Sequence, residues 1–307
     1  MKKAFLFSGQ GAQYVGMGQE LYEREPIVKA TFDEASRILG YDVAQQCFTE
    51  NEQLNQTEYT QPAILTVSIA FWRLLQEKGQ TCDYVTGLSL GEYSALVASG
   101  VFDFETALKL VAKRGSLMAN AAPQGTGKMV AVMNTPIEII EEACQKASMV
   151  GIVSPANYNT PQQIVIGGEV AAVDQAIAYL TQAGAKRMIP LNVSGPFHTA
   201  MLKPAAEKLK GVLAEIELNK MNIPVISNTT AQIMAQSEIK ELLEKQVMSP
   251  VRFYESIETL KNLGVEQIVE IGPGKVLTGF VKKIDKSIKV TRVEDVKTFE
   301  ETLNALA

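Results

Sequence analysis

The stretch "GLSLGEYSAL", Gly87 to Leu96, holds the pattern Gly-x-Ser-x-Gly with Ser89 at its centre. In this pattern a serine stands at a sharp strand-to-helix turn, and the flanking glycines give the backbone room to reverse. Taken alone it is a weak signal, because three fixed residues at roughly 7% usage recur by chance about once in ten chains of this length. Its neighbours strengthen it. "DYVTG" reads as a short strand running into the turn, and Leu90 to Ser99 reads as the helix leaving it. A helix start also directs unpaired N–H groups at the serine oxygen. The plainer reading is a serine near a helix N-cap, a position serine favours.

Outward from this turn, short β-rich runs alternate with amphipathic helices, which implies a mostly parallel sheet covered on both faces. "KAFLF" (Lys3 to Phe7) is a first strand ending in the glycine-rich loop "SGQGAQ". Helices are predicted at Pro26 to Leu39 and Pro62 to Lys78, each opening on a proline. Another is predicted at Phe104 to Ala119. Between Thr126 and Val193 the order becomes βαββαβ, that of a ferredoxin-like unit. We read residues 126–193 as a small subdomain inserted into an α/β core made of 1–125 and 194–307. The core resumes with a helix after His198, a strand "IPVISN", two further helices, the strand "QIVEI" and the loop "GPGK" (Gly272 to Lys275). That loop is not a P-loop, since Val269 and Val276 stand at the first Gly and the Ser/Thr positions. It reads as a helix-start turn.

Composition excludes several function classes. The 307 residues are 46% hydrophobic and 21% charged, ordinary for a soluble globular chain. Three cysteines, Cys47, Cys82 and Cys144, are scattered and odd in number. They suit neither a disulfide framework nor a zinc site, so a reducing cytoplasm is expected. The apolar start Ala4 to Phe7 is too short for a signal peptide. Ala63 to Trp72 falls short of the ~18 residues of a membrane span and reads as a buried helix. A net charge of −5 argues against nucleic acid as a partner.

A serine needs a base to take its proton, and histidine is the usual one. The chain has one histidine, His198, in "VSGPFHTAM". A lone histidine is more often an ordinary core or polar residue, but here it has a serine elbow to serve. A third group usually orients the imidazole. Asp103 and Asp174 lie between Ser89 and His198 in the chain, and a backbone carbonyl could do the same. On the Phe104 to Ala119 helix, Arg114 falls beside the apolar stripe of Leu108, Val111, Ala112, Gly115 and Met118. A guanidinium there needs an anion. A substrate carboxylate would satisfy it, and so would a structural salt bridge or a stem that snorkels to water. The "SGQGAQ" loop lies at the strand end where ligands bind in parallel sheets, and one N–H from it with one from Leu90 would make an oxyanion hole.

Together, "GQGAQ" (Gly9 to Gln13), "GLSLGEYSAL", "KRGSLM" (Lys113 to Met118), "GPFH" (Gly195 to His198), "QVMSPVRF" (Gln246 to Phe253) and "EIGPGKVL" (Glu270 to Leu277) resemble the malonyl-CoA:acyl-carrier-protein transacylase family, in its order and from end to end. The resemblance implies an α/β-hydrolase-like core with an inserted ferredoxin-like subdomain. It implies that Ser89 is acylated, that His198 is general base and acid, and that the N–H groups of Gln10 and Leu90 form the oxyanion hole. Arg114 would bind the malonyl carboxylate, and the Gln246 carbonyl would orient His198. Met118 and Phe197 would line the acyl site, Phe197 crowding a 2-methyl group. The implied partners are malonyl-CoA and an acidic acyl carrier protein, with no nucleic acid or membrane, no metal or other cofactor, and a monomeric chain. Lys186, Arg187, Lys275, Lys282 and Lys283 are candidates for the carrier's docking face. One departure stands beside the nucleophile: the family often has histidine before the serine, and here it is Leu88. The competing expectations are a serine thioesterase or hydrolase using the same Ser–His pair, and a binding module that has lost the chemistry.

Overall fold

Burial is unbroken from Ala4 to Phe7 in the first strand, β1 (Lys2–Phe7), as expected of a parallel strand covered on both faces. The computed structural model describes all 307 residues. After β1 come α1 (Gln19–Arg24), α2 (Pro26–Leu39), α3 (Val43–Phe48), α4 (Thr57–Glu77), β2 (Tyr84–Gly87), α5 (Leu90–Ala98) and α6 (Phe104–Ala119). Next come β3 (Gly127–Met133), α7 (Ile137–Ala147), β4 (Val153–Thr160), β5 (Gln163–Glu169), α8 (Val170–Gln182) and β6 (Arg187–Pro190). The chain closes with α9 (Lys203–Ala214), α10 (Ile239–Gln246), α11 (Phe253–Asn262), β7 (Val265–Ile271), α12 (Val276–Ile284), β8 (Lys289–Val293) and α13 (Val296–Leu306).

The strands form two four-stranded sheets, ordered β2-β1-β7-β8 and β4-β5-β3-β6. Every pair in the first is parallel, and every pair in the second is antiparallel. This is the two-part α/β architecture expected from the sequence. The antiparallel sheet serves two cores through the period-2 alternation of its strands. Val130, Val132, Ile164 and Ile166 pack with Ile140, Val173 and Leu180 of its own helices. Met129, Ala131 and Val165 face the opposite way, into the large core around α4 and α5.

Two expectations need correction. The helix predicted to open at Pro62 starts at Thr57 and carries Pro62 inside it. Proline there removes one i→i−4 bond, but α4 is buried without a break from Ala63 to Phe71, and that packing outweighs the missing bond. The same burial accounts for the apolar run, and no helix is long and apolar enough to cross a membrane. "IPVISN" is not a strand. It makes one parallel bridge, Val85 to Val225, and one antiparallel bridge, Ile226 to Ile233. Pro224 has no N–H to extend a ladder, and the chain turns away after Asn228.

"GPGK" does lead into a helix, α12. The buried Glu270 carboxylate accepts from the N–H groups of Leu277 (3.1 Å) and Thr278 (2.7 Å) and from the Thr278 hydroxyl (2.6 Å). The N-terminus of α12 is therefore capped from within.

Candidate active site

Ser89 joins β2 to α5 with φ 55° and ψ −103°, a conformation that costs a non-glycine residue about 1–3 kcal/mol and that its surroundings must hold in place. The neighbouring glycines are dictated by space. A Cβ on Gly87 would lie 2.1 Å from the Gly91 carbonyl carbon, and one on Gly91 would lie 2.1 Å from the Phe7 carbonyl oxygen. The loop after β1 rests on the same turn, since a Cβ on Gly9 would lie 2.2 Å from the Leu88 carbonyl oxygen. Leu88 acts here through its backbone, donating to the Phe7 carbonyl (3.2 Å) and accepting from Gly91 (3.0 Å). Its side chain packs on an apolar cluster and calls for no polar partner.

His198 is buried, and its Nε2 lies 2.8 Å from Ser89 Oγ. Its Nδ1 lies 2.7 Å from the Gln246 backbone carbonyl, which can only accept. Nδ1 therefore carries the proton, and Nε2 is left to accept from the serine hydroxyl. Burial, followed by the nearby Arg114 charge, lowers the imidazole pKa to about 4, so the ring is a neutral base near pH 7. Neither aspartate orients it. Asp103 caps α6 through the Thr106 N–H (2.7 Å), and Asp174 pairs with Lys128. Of the three groups the sequence left open, the carbonyl is the one in place.

Arg114 is 1% exposed. Its Nη1 donates to Gln61 Oε1 (2.7 Å), and its Nη2 donates to Gln246 Oε1 (2.9 Å) and Ser89 Oγ (3.1 Å). The guanidinium lies over the Tyr93 ring, 5.0 Å from its centroid, and Nε has no partner. No ion pair in the chain includes Arg114, so the structural salt bridge considered from the sequence is absent. The nearest acid is Glu92, also fully buried, and burial pushes its carboxyl up to about 8. At neutral pH that carboxyl is largely protonated, and Arg114 is a buried cation bonded only to neutral groups.

The amide groups at the turn are almost all engaged. Leu88 N–H donates to Phe7, Ser89 N–H to Asn228 Oδ1 (2.7 Å), Gly91 N–H to Leu88 and Glu92 N–H to Ser89. Leu90 opens α5, so its N–H has no acceptor within the helix. In the facing loop Gly11 N–H donates to Gln13 (2.7 Å), whereas the Gln10 N–H has no protein acceptor. The Gln10 side chain donates to Thr57 Oγ1 (3.0 Å) and accepts from Gln61 Nε2 (3.4 Å).

Gln10, Leu88, Ser89, Met118, Phe197 and His198 line a cleft of about 710 Å³, together with Asn157, Asn159 and Val165 of the antiparallel sheet. Met118 and Phe197 are buried, and Gln61 Nε2 reaches Met118 Sδ (3.5 Å). Lys186, Arg187, Lys275, Lys282 and Lys283 are all exposed. The last three flank or belong to α12, whose Val276, Leu277 and Phe280 also line the cleft. No cluster of residues suited to a metal ion is present.

Sequence reasoning missed Gln61, Glu92, Tyr93 and Asn228. Glu92 lies inside the opening stretch, where an acid in an otherwise apolar helix was a legible signal. Gln61, just before the helix predicted from Pro62, and Asn228, at the end of a segment read as strand, are neutral amides, and nothing local marks them. Gln246 does more than was assigned to it. Besides its carbonyl on His198, its Nε2 donates to the Ser89 carbonyl (3.0 Å) and its Oε1 accepts from Arg114.

Residues 4–300 match the family model described as acyl transferase domain. The chain is 46% identical to the malonyl CoA-acyl carrier protein transacylase of Bacillus subtilis, over 99% of this chain and 97% of that one. It superposes on the crystal structure of MCAT from Streptococcus pneumoniae with a TM-score of 0.97 at 59% identity, covering 99% of this chain and 100% of that one. A malonyl-transacylase solved in complex with a type II PKS acyl-carrier protein gives a TM-score of 0.97 at 44% identity, over 99% and 100% of the two chains. With its serine elbow, buried imidazole and unpaired arginine set within that framework, the chain belongs to the acyl transferase family, among the malonyl CoA-acyl carrier protein transacylases.

Proposed function

We propose that this chain moves a malonyl group from malonyl-CoA to the phosphopantetheine thiol of an acyl carrier protein, through a malonyl ester on Ser89 and in ping-pong order. The observation that carries the reading is Arg114, a buried guanidinium with no countercharge that donates directly to the serine oxygen. A dicarboxylic acyl group supplies what the protein withholds, one carboxylate for the cation and one thioester for the nucleophile.

In the first half-reaction His198 Nε2 takes the hydroxyl proton as Ser89 Oγ attacks the thioester carbon. The Gln246 carbonyl holds the Nδ1 proton and stabilises the imidazolium that forms. The oxyanion would accept from the N–H groups of Gln10 and Leu90, neither of which has an acceptor in the protein. Collapse breaks the C–S bond, and the thiolate of CoA leaves with the proton from His198. The second half-reaction reverses these roles with the carrier thiol as nucleophile. Phe197, buried at the cleft wall, would crowd a 2-methyl substituent. The exposed lysines of α12 and the Lys186–Arg187 pair would meet an acidic carrier.

Initial rates at several fixed carrier concentrations test the order. Parallel double-reciprocal lines are expected. Intersecting lines, or release of free malonate at the full rate without carrier, would replace the reading with a ternary mechanism or a hydrolase respectively.

A further inference from the structure

We infer that Asn228 is a positioning residue for the nucleophile, a brace that spans the turn and fixes Ser89 in its strained conformation. The inference rests on Ser89 being the acylated residue.

A strand that reverses into a helix within one residue breaks backbone pairing on both sides of the turn. Here the Gly87 carbonyl and the Ser89 N–H are left with no backbone partner, buried, at the point where φ is 55°. An unpaired buried group of this kind is costly. One side chain satisfies both: Asn228 Oδ1 accepts from Ser89 N–H (2.7 Å), and its Nδ2 donates to the Gly87 carbonyl (2.7 Å). An ionised aspartate of this length could only accept, whereas the carboxamide offers an acceptor and a donor on one rigid plane at any pH. Asn228 is itself held, because its backbone N–H donates to Glu92 Oε2 (2.5 Å) on the first turn of α5. Gln246 Nε2 approaches Asn228 Oδ1 at 3.5 Å, and that same Gln246 orients His198. The brace thus closes a ring through Gly87, Ser89, Glu92 and Asn228, and it touches the element that fixes the base.

There is a second consequence for the chemistry. Asn228 engages the N–H of Ser89, so the nucleophile's own amide is not free for an oxyanion, and the role passes to Leu90. Loss of the brace should misplace Oγ and misdirect that amide while leaving the recognition of malonyl-CoA largely intact.

The experiment measures acylation of the wild-type chain, Asn228→Ala and Asn228→Asp by malonyl-CoA, with thermal melting of each. Acylation of the wild type at Ser89 tests the underlying reading separately, and its absence would dismiss that reading rather than the brace. Given wild-type acylation, folded Asn228→Ala should lose at least 100-fold in kcat with KM within about threefold. A kcat within threefold of wild type would overturn the inference, as would a loss confined to KM. Asn228→Asp keeps the acceptor but donates to Gly87 only when protonated. Its activity relative to wild type should rise as pH falls from 8 to 5, and this arm stands if the alanine variant fails to fold. A ratio flat across that range would overturn the inference.

Discussion

Arg114 Nη2 stands 3.1 Å from Ser89 Oγ and donates to it, although no carboxylate lies within ion-pair distance of the guanidinium. A buried cation without an anion is an expensive arrangement for a fold to keep. Its neighbours Gln61, Gln246 and Tyr93 offset the cost with neutral acceptors and an aromatic face. On the proposed function, the malonyl carboxylate brings the missing charge.

Removing that cation should separate substrates. Arg114→Ala is expected to lower kcat/KM for malonyl-CoA by roughly 30-fold to several thousand-fold, the equivalent of about 2–5 kcal/mol for a desolvated ion pair. Loading of acetyl-CoA, which has no carboxylate, should be spared. Steady-state kinetics with both thioesters check this, and an equal loss for both would count against a carboxylate clamp.

The lowered pKa of His198 fixes the shape of the pH profile. An imidazole at its ordinary value of 6.5 would lose activity below neutrality, whereas one at about 4 stays unprotonated down to mild acid. We expect kcat/KM for malonyl-CoA to be flat from pH 8 to 6 and half-maximal near 4. The same shift acts on stability. The folded state binds fewer protons than the unfolded chain between pH 4 and 6.5. The His198 contribution is therefore fully present above 6.5 and lost as pH falls through the folded value, by about 3 kcal/mol in all. Urea unfolding of the wild type and His198→Gln at pH 7 and 5 measures it: the wild type should lose more stability than the variant. Equal losses would show that the imidazole is not desolvated.

The turn should tolerate no side chain at Gly91. In Gly91→Ala the new methyl group meets the Phe7 carbonyl oxygen at 2.1 Å and the Ser8 carbonyl oxygen at 3.0 Å, both backbone atoms. We expect a loss of about 3 kcal/mol or more with little acylation of the remaining folded protein. Circular-dichroism melting checks it, and a variant as stable as the wild type would mean that the turn is looser than described.

What was legible in the sequence follows from how locally each feature is encoded. β1, α2 and α6 lie within a residue of their expected bounds, because each has an unbroken apolar pattern and a clear start. Ser89, His198 and Arg114 stood out because their chemistry is conspicuous: a glycine-flanked serine, a lone histidine, and a charge against an apolar stripe. Pro62 misled because proline normally marks a first turn, and only the burial of α4 allows it deeper. "IPVISN" has strand composition, but its pairing depends on β2 beside it, which sequence spacing does not reveal. Asn228 and Gln61 were invisible for a related reason. Neutral amides acquire meaning only from the groups the fold brings to them, here across separations of 139 and 53 residues.

Docking of the carrier should depend on charge even though the chain is net negative. Lys282→Glu combined with Lys283→Glu is expected to raise KM for carrier protein several-fold and to flatten its salt dependence. The rate of Ser89 acylation by malonyl-CoA should be unchanged. Transfer rates measured between low and physiological salt decide it, and insensitivity of the wild type to salt would remove the electrostatic account of docking.

The most direct measurement is intact-mass spectrometry of the chain after incubation with malonyl-CoA, followed by addition of holo acyl carrier protein. A single malonyl adduct is expected, mapped by proteolysis to Ser89 and absent from Ser89→Ala, that disappears as the malonyl group arrives on the carrier thiol. An adduct that discharges only to water, or no adduct at all, would contradict it.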